Sequence, residues 1–140
     1  MKKPKKLKIC NWSLILLTLA ILISGIYLEA TDSSGVSAVW IHIGLGTLFF
    51  IFAAYHIYLH FGKSNWFTKF HKLKSQFTRV LWWVSLAALV SGIIACIHWI
   101  IAFSHSPLGG IHGKIGFLMV ALLICHIGKR IKFFKQSIVR

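Results

Sequence analysis

Four long apolar runs divide the 140-residue chain, at roughly 12–30, 37–61, 80–103 and 111–128, and polar residues collect in the connections. Each run is near the ~20 residues that a helix rising ~1.5 Å per residue needs to cross a ~30 Å hydrocarbon core. The pattern predicts an all-α fold: an integral membrane four-helix bundle in which residues 1–140 form one membrane domain. The connection between the second and third runs has a different rhythm. Trp66, Phe67, Phe70, Leu73 and Phe77 recur at helical spacing with Lys69, Lys72 and Lys74 among them, and Ser64 is placed to cap the start. That reads as a short amphipathic helix over roughly 64–77, lying on the inner membrane surface.

The runs are related in pairs. "IHIGLGTLFFIFAAYHI" (41–57) and "IHGKIGFLMVALLICHI" (111–127) align at an offset of 70, matching His42 with His112, Gly46 with Gly116, and His56 with His126. In the preceding runs "LAILISGI" (19–26) lies over "LAALVSGI" (86–93) at an offset of 67. The chain is therefore two copies of one in–out–in hairpin. Parallel repeats of this kind are related by an axis along the membrane normal, so the second and fourth helices run in the same direction.

Composition agrees, with 57% apolar residues and a mean hydropathy of +0.77. A net charge of +14 suggests nucleic acid in a soluble chain, but its distribution argues for topology. Fifteen of the sixteen basic residues flank the runs on one side, and Lys114 is the exception. The two acids, Glu29 and Asp32, sit in the loop after the first run. This positive-inside pattern places both termini in the cytoplasm, with membrane lipid as the partner and no nucleic acid. The N-terminal run is longer than a signal-peptide core and lacks a clean small-x-small site, so it reads as a retained helix. Trp12, Trp66, Trp82 and Trp83 on the inner side, with Trp40 and Trp99 on the outer, make interfacial belts. Cys10, Cys96 and Cys125 form no metal or covalent-haem motif.

The histidines carry the chemistry. A spacing of fourteen falls about 40° short of four helical turns, so His42 and His56 share a face and lie about 21 Å apart along the axis. His112 and His126 repeat this on the parallel helix. Two pairs result: His42 with His112 in the outer half, and His56 with His126 in the inner half. Ionisable side chains are costly in a membrane, and four at matched depth outweigh a role as simple helix-bridging hydrogen bonders. A bare zinc site wants three or four protein ligands, whereas haem brings four equatorial nitrogens and needs two axial ligands. Two non-covalent, bis-histidine b haems fit the pattern. Helices in direct contact are 8–10 Å apart, too close to hold a macrocycle, so the second and fourth helices should be diagonal at ~14 Å. Gly46 and Gly116, four residues after His42 and His112, remove side chains that would meet a porphyrin.

H-x(13)-H on two helices, with H-x-x-x-G after the first histidine and a repeated S-G-I in the alternate helices, resembles the di-haem core of the cytochrome b group. At this length the whole chain resembles the small bacterial flavinylation-associated cytochromes. The resemblance implies that His42, His56, His112 and His126 are axial ligands. It implies electron transfer in the bacterial cell membrane between the quinone pool and an extracytoplasmic redox partner, often an FMN-bearing flavoprotein. More distant relatives oxidise superoxide or exchange electrons with quinones, so an oxidoreductase acting at one face is a rival. A haem carrier or sensor, or a small subunit of a larger complex, is a rival of another class.

The other histidines are less tied to this frame. His60 follows His56 by one turn at the inner rim, but its counterpart is Arg130, so it forms no third pair. His98, level with His42, and His105, in the outer loop, are the candidates for a quinone or partner site. His71, among lysines, is assigned no role. Lys114, just after His112, is placed to neutralise a haem propionate.

Overall fold

Away from water a backbone must satisfy its own polar groups, and within one segment a helix does this completely. Each apolar run accordingly forms one helix: α1 (Lys3–Ala30), α2 (Val36–Phe61), α3 (Gln76–Ala102) and α4 (Pro107–Lys129). All four are long and apolar enough to cross a membrane. The structure, a computed structural model, describes residues 3–33, 35–62, 68, 75–102 and 107–129.

The helices outrun the apolar stretches, for identifiable reasons. α3 begins at Gln76, four residues before its apolar run, because Ser75 caps it: the Thr78 N–H reaches Ser75 Oγ at 3.4 Å. Gln76 and Phe77 therefore belong to α3 and not to the amphipathic segment. The rest of that expected helix, apart from Thr68 and Ser75, lies outside the described residues, as does His71. Pro107 opens α4, where its missing N–H leaves no helical hydrogen bond unmade.

Glu29 corrects the loop assignment, since it lies in the last turn of α1. The chain leaves that helix through two left-handed residues, Asp32 (φ 48°) and Ser33 (φ 55°). Ser33 N–H returns to Leu28 O at 2.8 Å, and Thr31 N–H to Tyr27 O at 3.0 Å. This is the glycine-type helix stop made by Asp and Ser, whose short polar side chains make the left-handed region less costly.

The helices pack as two tight hairpins, α1 along α2 and α3 along α4, and α1 meets α4 more lightly. Cys10 on α1 points its thiol at the Phe52 carbonyl of α2, 3.5 Å away. The shared core lies mid-bundle, where Phe49 of α2, Leu81 and Ala88 of α3, and Met119 and Val120 of α4 are buried together. Leu14, Leu17, Ile21 and Leu22 of α1 close it. Large apolar side chains such as Leu16, Ile23, Val90, Ile101 and Ile124 stay exposed on the outside, as expected of helices that are apolar all round.

Contacts at the two ends also join the hairpins internally and to each other. At the end carrying the 31–35 turn (the turn end), Trp40 of α2 meets Trp99 of α3 edge-to-face, ring centres 6.0 Å apart. At the opposite, terminal end, Lys129 Nζ of α4 lies 4.2 Å above the Phe77 ring of α3. Between these points the hairpins part around a cavity.

Candidate functional site

The cavity occupies the turn half of the bundle and measures about 470 Å³. All four helices line it, and His42 of α2 and His112 of α4 stand in its walls. The repeat thus brings together two residues 70 apart in sequence. Their ring centres are 6.2 Å apart and their planes cross at 75°. α2 and α4 do not pack closely against each other here, so the two imidazoles meet across the gap and not at a helix–helix contact.

Each imidazole is held from behind by the preceding helix. Ser24 Oγ lies 2.8 Å from His42 Nδ1, and Ser91 Oγ lies 3.1 Å from His112 Nδ1. Both serines also bond a carbonyl of their own helix, Ile21 at 3.0 Å and Ala88 at 3.2 Å. The next residue in each case is a glycine packed on the ring. A Cβ at Gly92 would lie 3.0 Å from His112 Cε1 and 3.3 Å from its Nδ1, and one at Gly25 would lie 3.5 Å from His42 Cε1. Ser24, Gly25, Ser91 and Gly92 are the site residues that the histidine pattern alone misses. The signal that could have found them is the duplicated S-G-I, which the repeat alignment already pairs.

Gly46 and Gly116 both line the cavity, and a Cβ at either meets nothing within 4 Å. They face open space on the side of the histidines, as their four-residue spacing from His42 and His112 requires. Phe49, Phe50, Met119 and Val120 close the cavity floor towards the core. At its mouth stand the two acids of the chain, Glu29 and Asp32. The Glu29 carboxylate reaches α4, its Oε2 3.6 Å from where a Gly113 Cβ would be.

The remaining candidates fall elsewhere. Lys114 is exposed and outside the cavity wall; two residues turn a helix by about 200°, which carries it away from the His112 face. His98 is partly buried and does not line the cavity, although its neighbours Ile97 and Trp99 do. Its Nδ1 is shielded and makes no hydrogen bond among the described residues. His105 lies outside the described residues. In the terminal half, His56 and His126 are both partly buried. The exposed His60 packs on His56, ring centres 4.6 Å apart and tilted by 60°.

Comparison of the chain with protein-family models, curated proteins and solved structures gives no match.

Proposed function

We propose that this chain is a di-haem b-type cytochrome, an electron-transfer protein of the bacterial cell membrane. One non-covalent haem b would be held by His42 and His112, and a second by His56 and His126. The observation that carries the reading is the His42–His112 pair. Two imidazoles that held one metal ion between them, at ~2 Å per metal–nitrogen bond, would have ring centres roughly 6 Å apart. The observed separation is 6.2 Å.

The surroundings suit the same group. The cavity lies in the range of ordinary cofactor sites, ~300–1,000 Å³, and is walled mostly by apolar side chains with glycines beside both histidines. Among the described residues no three His, Cys, Asp or Glu side chains gather as for a bare metal ion. Such a donor set favours an iron that brings its own equatorial nitrogens. A haem held by the two histidines would supply reversible one-electron chemistry. The residues then have separate tasks. The histidines would hold the iron, Gly46 and Gly116 would leave room, and Phe49, Phe50, Met119 and Val120 would form an apolar floor.

Orientation follows from charge. With fifteen of sixteen basic residues flanking the apolar runs on one side in sequence, the reading puts both termini and the connection between α2 and α3 on the cytoplasmic side. The cavity mouth then faces outward, towards an extracytoplasmic redox partner such as a flavoprotein, and the quinone pool is the membrane-side partner. The test is substitution of each histidine with the haems counted. His42→Ala or His112→Ala should cost the outer haem and leave the inner, while His56→Ala or His126→Ala should do the reverse. His60→Ala should leave both, and loss of a haem on removing His60 but not His56 would move the inner site by one helical turn.

A further inference from the structure

We infer that Ser24–Gly25 and Ser91–Gly92 are matched positioning elements that fix which nitrogen His42 and His112 present to the cavity and hold the two ring planes crossed. Each hydroxyl has one proton to give and lone pairs to accept with. In both serines Oγ lies within hydrogen-bond distance of a carbonyl three residues back, at 3.0 Å (Ile21) and 3.2 Å (Ala88). A carbonyl only accepts, so the hydroxyl proton goes to it, as helical serines commonly arrange. The oxygen is then left to accept from the histidine. Nδ1 of His42 (2.8 Å) and of His112 (3.1 Å) must carry the N–H. Nε2 is consequently the bare nitrogen in both rings, the one able to bind a metal. Two serines on different helices make the same assignment, which one chance contact does not.

The glycines set the plane. Ring rotation about the Ser–Nδ1 contact is limited on one side by the helix face beneath it. At Gly92 that face is so close that an added Cβ would stand 3.0 Å from Cε1, whereas at Gly25 the same atom would be at an ordinary 3.5 Å. The planes are held at 75°. Because the elements sit on α1 and α3, they bind each hairpin's ligand to its own partner helix, independently of the other hairpin.

The consequences for haem rest on the proposed function, and the experiment separates the two. In wild-type protein, fewer than two low-spin haems overturns the haem reading. With two haems present, Ser24→Ala and Ser91→Ala should retain both. A ring N–H that loses its serine acceptor makes a less basic ligand, so ferric iron would lose stabilisation and the outer potential rise, less in Ser91→Ala, where His112 keeps its bond to the Ala88 backbone. A tenfold loss of ferric preference reads as 59 mV for a one-electron couple. The inner haem is the internal control and should not shift. Ser→Thr at either position, which keeps the hydroxyl, should restore the wild-type potential. Where alanine costs the outer haem altogether, the threonine variant decides, and failure to restore it overturns the inference. Gly92→Ala should alter the anisotropy of the outer haem's low-spin EPR signal more than Gly25→Ala. Unchanged outer potentials in both serine variants, or equal effects of the two glycine variants, would also overturn it with the haem reading intact.

Discussion

A single missing side chain at Gly46 and at Gly116 shows how closely this chain's residues are matched to empty space. Nothing lies within 4 Å of the atom that alanine would add at either position. Gly46→Leu or Gly116→Leu should therefore be accepted by the fold, since replacing glycine inside a helix ordinarily helps it by roughly 0.5–1 kcal/mol. The same side chain would fill the cavity. The expected outcome is a normally folded chain carrying one haem, read by haem content and circular dichroism; two haems would show that the space serves something else. The core residue Ala88 behaves oppositely. It is 2% exposed among Phe49, Leu81, Met119 and Val120, so Ala88→Leu should overpack the bundle and cost about 1–3 kcal/mol. Thermal unfolding in detergent measures it.

At the scale of the helices, hydropathy was enough to find all four but not their ends. Gln76, Phe77, Thr78 and Arg79 extend α3 because Ser75 caps it and helical backbone continues through polar residues, which an apolar window does not register. Glu29 likewise lies in the last turn of α1, because a carboxylate interrupts apolar character without ending a helix. The meeting of His42 and His112 was legible because a duplicated hairpin fixes depth and direction together. The serine behind each histidine was not, because it depends on the rotation of α1 on α2 and of α3 on α4, which repeat spacing leaves open. One contact between hairpins at the turn end is the Trp40–Trp99 edge-to-face pair, with centres 6.0 Å apart. A double-mutant cycle with alanine at both positions should give a coupling of about 0.5–1.5 kcal/mol. A coupling near zero would mean that this ring pair adds nothing to the association of the hairpins.

The molecule as a whole is two hairpins that share one core and are set around a space, with an apolar outer surface. That arrangement makes sense if a rigid prosthetic group completes the interior, because two hairpins that touch only lightly otherwise leave apolar walls facing a void. Among the described residues, Lys8, Arg79 and Lys129 stand towards the terminal end, and Glu29 and Asp32 line the cavity. Haem removal should accordingly loosen contacts between hairpins more than those within them, which hydrogen exchange of α1–α2 against α3–α4 amides in loaded and haem-depleted protein can follow. The most direct measurement is the haem-to-protein ratio of the purified, detergent-solubilised chain, taken with its visible spectrum in the reduced and oxidised states. Two non-covalent b haems per chain, both six-coordinate and low-spin, are expected from His42 with His112 and His56 with His126. A chain that binds no haem, or a single high-spin one, would contradict the proposal.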